Sequence, residues 1–158
     1  MPIGKHVVYA RRFDSINLIV ININTVALGL LRRELVETLG LLTARGILTR
    51  FGYAHGWRTA ESLRQQFEWD SEHEWQLAGG RVHQLQGFLI YEPVPRAAGE
   101  APKAFAQSIW RESYEAQEHL AHLGPSAEPA CWTLAGFASG YLSCVARSEE
   151  RRVGKECA

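Results

Sequence analysis

The sequence predicts an α+β fold, a mixed α/β class in which a helical N-terminal half leads into a modest antiparallel sheet. Three observations carry this expectation. Apolar residues recur at helical spacing from Thr25 towards Gly80. Two extended stretches, "RVHQLQGFLIYEPV" and "KAFAQSIWRES", then flank a Pro- and Gly-rich loop. Behind Pro129 a run of small residues returns to helical spacing. At 158 residues and 46% hydrophobic content, the chain has enough apolar mass for one ordinary core.

Within residues 1–23, "SINLIVININ" is rich in β-branched side chains and reads as a candidate short strand. The first helix starts at Thr25. Val26, Leu30, Leu31, Leu35 and Leu39 fall on one stripe, Arg32, Arg33, Glu34 and Glu37 lie largely off it, and Gly40 ends it. A second helix runs through "LLTARGILTRFGYAHGW" with Ala44, Ile47, Leu48 and Phe51 inward. Thr59 can cap a third, "AESLRQQF". Ser71 and Glu74 form a capping box before a short fourth that stops at Gly79-Gly80. That stop places His83 in a strand or hairpin, with Gly87 at the bend and Pro93 and Pro95 at the end. "PRAAGEAP" is a loop, Phe105 and Trp110 dominate the second extended stretch, and "YEAQEHLAHLG" is helical. "GPSAEP" turns the chain, and Pro129 opens the helix that carries Cys131. Gly136 and Gly140, at i and i+4 on that helix, permit close backbone packing.

Seventeen basic and seventeen acidic side chains cancel. A free-standing nucleic-acid module would be basic, so no direct nucleic-acid contact is expected. "INLIVININTVALGLL" is interrupted by four asparagines or threonines, too polar for a membrane span. The start has no signal-peptide core. Cysteines 131, 144 and 157 are too far apart for a disulfide framework or a CxxC knuckle, which points to a reducing cytoplasm.

Few residues stand out chemically. Glu115, Glu118, His119 and His122 share a helix face at metal-compatible spacing, but without H-E-x-x-H they read as a solvated polar face. His83, between Val82 and Leu85, is either a hydrogen-bonded structural residue or a ligand contact. Trp110 is either core or the wall of a pocket with one polar side. Cys131 is a small buried hydrophobe unless three more donors converge on it for zinc. Neither G-x-S-x-G nor a phosphate-cradling glycine loop is present.

Taken together, "LRRELVETLG", "RGILTRFGYAHGWRTAE", "LAGGRVHQLQGF" and "PACWTLAGFASGYLS" resemble the N-terminal sensor domain of XylR/DmpR-type activators of sigma-54-dependent transcription. The resemblance runs from about Thr25 to Ala146. It implies a helical N-terminal part over 24–80, packed on a vinyl-4-reductase-like effector-binding domain over 81–146. It implies no enzyme but a sensor of phenols and related aromatics. It also implies a homodimer and, downstream in the intact protein, an AAA+ ATPase and a helix-turn-helix. By the same resemblance His83 and Trp110 hydrogen-bond the effector hydroxyl and Tyr141 lines the pocket. Cys131 matches the first ligand of a structural zinc site, whose other ligands are a glutamate and two cysteines. Gln76, seven residues before His83, departs from the aromatic usual in phenol sensors and implies a more polar pocket, so that the effector need not be phenol itself.

Residues 1–23 match this pattern poorly. Residues 147–157, "RSEERRVGKEC", are the in-frame translation of a common sequencing adapter. The segment 147–158 is therefore expected to be non-native and to stay outside the core, leaving a C-terminally truncated domain. Two rival readings share the fold: an enzyme-associated tetrapyrrole-binding module, and a dimerisation module with an exposed apolar face and no polar pair inside.

Overall fold

The computed structural model describes residues 24–94 and 107–156, with side chains as far as Arg147. The candidate strand in 1–23, the loop 95–106 with Phe105, and Cys157 lie outside the described residues. The element order is α1 (Thr25–Leu39), α2 (Leu41–Gln66), α3 (Glu72–Leu85), β1 (Ile90–Pro93), β2 (Ser108–Arg111), α4 (Tyr114–Leu123) and α5 (Trp132–Glu156). Helices dominate, and β1 and β2 form a small antiparallel sheet, so the α+β class holds.

Asn24 caps α1 by accepting the Val26 N–H at 3.0 Å, and Gly40, at φ 80°, ends it as expected. The expected apolar stripe on α1 is corrected. Its buried residues are Gly29 and Arg32, while Val26, Leu30, Leu31 and Leu39 are exposed. A buried carboxylate on α4 holds Arg32 inward, and that pairing overrides the apolar pattern.

The expected break at Thr59 does not occur, because α2 is one helix of 26 residues. Its buried face is Ala44, Gly52, Gly56, Ala60 and Leu63, and Phe51 is 62% exposed rather than inward. Small residues define this face because α5 lies backbone to backbone against it. A Cβ on Gly52 or Gly56 would sit 2.0 Å from the carbonyl oxygen of Thr133 or Phe137. Reciprocally, one on Gly136 or Gly140 would meet the Thr49 oxygen at 2.2 Å or the Tyr53 oxygen at 2.0 Å. Two i,i+4 glycine pairs therefore interlock, one on each helix. The close packing expected of Gly136 and Gly140 is what they provide.

The Ser71 hydroxyl accepts the Glu74 N–H at 3.2 Å, so α3 opens as its capping box predicts. It does not stop at Gly79-Gly80. Both glycines stay helical because they receive aromatic rings: a Cβ on Gly79 would be 2.8 Å from Tyr141, and one on Gly80 2.1 Å from Tyr91. His83 is consequently helical, and the strand expected over 81–86 is absent. Gly87, at φ 72°, makes the turn instead. In the sheet Tyr91 pairs with Trp110, and the Gln84 side chain accepts the Tyr91 N–H at 3.1 Å, tying sheet to helix.

The core gathers Ala60, Leu63, Trp75, Ala78, Val82, Phe137, Tyr141, Cys144 and Val145 between α2, α3 and α5. Its two buried polar tips are satisfied by helix carbonyls. The Trp75 indole donates to the Ala60 oxygen at 3.2 Å, and the Tyr141 hydroxyl donates to the Trp75 oxygen at 2.7 Å. The backbone of residues 147–156 continues α5.

Candidate functional site

Helical geometry turns His83 inward with Trp75, Ala78, Gly79 and Val82. The side chain is 2% exposed, and neither Nδ1 nor Nε2 has a hydrogen-bond partner among the described residues. Aromatic rings surround it. Phe137 of α5 lies 4.2 Å away between centroids, Phe88 of the turn after α3 lies 6.0 Å away, and Trp110 of β2 stands edge-on at 6.1 Å. Burial, with a smaller contribution from His55, pushes the His83 pKa down to about 4. The imidazole is therefore neutral across the physiological range, with one N–H donor and one acceptor nitrogen, neither used by the protein.

Such a group is unusual, since buried polar atoms are nearly always paired and each unpaired one costs about 1–3 kcal/mol. What would repay it is a small polar group carried on an aromatic or apolar body that the surrounding rings accept.

Of the other expected site residues, Trp110 does approach His83. It is half-buried, and its indole N–H donates to Ser108 Oγ at 3.1 Å. Tyr141 is 1% exposed and belongs to the core: its hydroxyl is committed to Trp75 and its ring stacks behind Phe137 at 6.0 Å. Phe88 and Phe137 are the rings that sequence reasoning passed over. Phe137 sits between the interlocking glycines at i−1 and i+3, the one signal that marked its helix as a tightly fixed wall.

Cys131 precedes α5, with Sγ 3.2 Å from Ser113 Oγ and within electrostatic reach of the Arg32 guanidinium. Among the described residues, no three His, Cys, Asp or Glu side chains converge to hold a metal ion. Among the described residues, the Cys131 thiol beside a hydroxyl and a fixed cation does not make up the four donors of a structural zinc centre.

The expected solvated face of α4 is corrected as well. Glu115 and His119 are 3% and 6% exposed. Glu115 accepts from Arg32 Nη1 at 2.9 Å and from the backbone N–H groups of Thr133 and Leu134 at 2.8 and 3.0 Å. It thus caps α5 from another helix, where Cys131 is a poor N-cap and the helix dipole favours a carboxylate. Arg32 Nη2 also donates to the Ala130 oxygen at 2.6 Å, and its guanidinium lies 3.7 Å over the Trp132 ring. Burial lowers the Arg32 pKa against the opposing pull of Glu115. Together these contacts fix the start of the helix that brings Phe137 to His83.

The chain is similar to known regulators. The phenol regulator MopR of Acinetobacter guillouiae is 33% identical over 159 aligned residues, 90% of this chain and 28% of that protein. The transcriptional regulatory protein XylR of Pseudomonas putida is 32% identical over 127, 80% of this chain and 22% of that protein. The chain thus spans about a quarter of the length of these relatives. Among solved structures, the phenol-responsive sensory domain of the transcription activator PoxR, determined with phenol, superposes with a TM-score of 0.70 at 32% identity. That match covers 80% of this chain and 63% of the other. The family model described as activator of aromatic catabolism matches residues 17–97, and the chain belongs to that XylR N-terminal family.

Proposed function

We propose that this chain is the effector-sensing part of a transcriptional activator of aromatic catabolism, binding a small hydroxylated aromatic. The observation that carries the reading is His83, buried and neutral, with both nitrogens unpaired among Phe88, Trp110 and Phe137. An effector ring adds to these ring contacts, and its hydroxyl satisfies one imidazole nitrogen. Similarity to a phenol regulator and to a sensory domain determined with phenol supports the same ligand class. Binding is non-covalent and without turnover. In the intact protein it shifts the population of a sensor that restrains an AAA+ ATPase attached to a helix-turn-helix.

Gln76, half-buried on α3 two turns before His83, favours an effector more polar than phenol. The exposed leucines of α1 and of the start of α2 favour a homodimer, a role compatible with sensing.

The test is calorimetry of the protein against phenol, alkylbenzenes and catechols, with His83→Ala beside it. Loss of the imidazole weakens the best hydroxylated ligand roughly 5- to 100-fold, corresponding to about 1–3 kcal/mol for one lost hydrogen bond, and leaves an alkylbenzene nearly unaffected. Equal affinity of both proteins for every hydroxylated compound would remove His83 from the site.

A further inference from the structure

We propose that this site selects its ligand by ionisation state, taking a hydroxylated aromatic as the neutral molecule and refusing the corresponding phenolate. The inference rests on the effector-sensing reading and follows from what surrounds His83. Its ring neighbours Phe88, Trp110 and Phe137 carry no charge. The ionisable groups on the packed elements are neutral or committed elsewhere. His55 on α2, the one group with an electrostatic influence on His83, has its own pKa lowered by burial. Arg81 on α3 acts on the Tyr91 phenol of β1. Arg111 of β2 is paired with Glu92 of β1 at 3.0 Å. Tyr114 of α4 is raised by burial and stays neutral. On α5, Tyr141 donates to Trp75, and Cys144 packs in the core. Arg32, the buried cation of the described residues, is held by Glu115.

A phenolate entering this environment would lose its hydration and gain a single hydrogen bond, less than an uncompensated buried charge requires. The two forms also differ in hydrogen bonding. A neutral hydroxyl both donates and accepts, so it satisfies whichever imidazole nitrogen it meets, whereas the anion can only accept. Nor can His83 rescue the anion by taking up a proton. Burial holds the imidazole far below the range in which phenols ionise, so the shared proton stays on the ligand oxygen.

The experiment titrates the protein with a series of fluorinated phenols, similar in size to phenol but increasingly acidic, from about pH 5 to about pH 8. The expected result is that phenol affinity stays flat. Each acidic member should weaken about tenfold per pH unit above its own pKa, because only the neutral fraction is competent to bind. The ¹⁹F resonance of the bound ligand should keep the shift of the un-ionised form throughout. Affinity that is pH-independent for the acidic members, or a bound resonance at the phenolate shift, would overturn the proposal while leaving the sensing reading intact. Failure of every member to bind at any pH would bring down both.

Discussion

At the scale of one residue, the burial that leaves His83 unpaired also ties stability to pH. In the unfolded chain its imidazole titrates near 6.5, whereas in the folded protein burial holds it at about 4. Between those values the unfolded state binds a proton that the folded state refuses. The stability associated with a neutral His83 is therefore full above about pH 6.5 and is lost as pH falls towards 4. The shift amounts to about 3 kcal/mol at the acid end. Burial lowers His55 and His119 in the same direction, so they steepen the dependence. Urea denaturation at pH 7 and pH 4.5 checks this: the loss of stability on acidification should be clearly smaller in His83→Leu than in the parent protein. Parallel pH profiles would mean that the imidazole is not shielded as described.

At the scale of elements, the contact of Phe137 with His83 depends on how firmly α5 is fixed against its neighbours. Two devices do this, the capping of its first turn by Glu115 and the interlock of Gly52 and Gly56 with Gly136 and Gly140. A methyl group added in that seam meets backbone, which cannot rotate away. Gly136→Ala, whose Cβ would lie 2.2 Å from the Thr49 oxygen, should destabilise the protein by about 1–3 kcal/mol or more. It should also weaken effector binding by moving Phe137. Gly46→Ala is the control. It lies within α2 with nothing inside 4 Å of the added carbon, so the change should stabilise by about 0.5–1 kcal/mol. Denaturant midpoints of the two variants should move in opposite directions. If both move alike, the helices are not in backbone contact.

At the scale of the whole molecule, the described part of the chain leaves a row of large apolar side chains uncovered. Val26, Leu30 and Leu31 on α1 and Leu41 and Leu42 at the start of α2 are each at least 42% exposed, Leu42 reaching 81%. Scattered apolar exposure is ordinary, whereas a row along two consecutive helices is what the proposed homodimer would cover. Sedimentation velocity over a range of concentrations should show a dimer that Leu31→Glu converts to monomer without loss of helicity. An unaltered sedimentation coefficient would exclude α1 from the interface.

The sequence by itself determined what depends on near neighbours in the chain. The helix start behind Asn24, the capping box at Ser71, the stop at Gly40 and the close-packing potential of Gly136 and Gly140 are short-range effects of side-chain hydrogen bonding and backbone freedom, and they were legible. The motifs around His83 and Trp110 also led to the right family, and the structure brings those two side chains within 6.1 Å of each other between ring centroids. Tertiary structure decided what depends on a partner far along the chain. Gly79 and Gly80 look like a helix stop until Tyr141 and Tyr91 lie over them, and only then does His83 become helical and inward. Arg32 belongs outside by pattern, and Glu115, 83 positions later, brings it in. Glu115 in turn looks solvated until the N–H groups of Thr133 and Leu134 arrive. In each case a contact across the fold outweighs a local preference worth less than about 1 kcal/mol per residue, and no spacing rule encodes which distant residue supplies it.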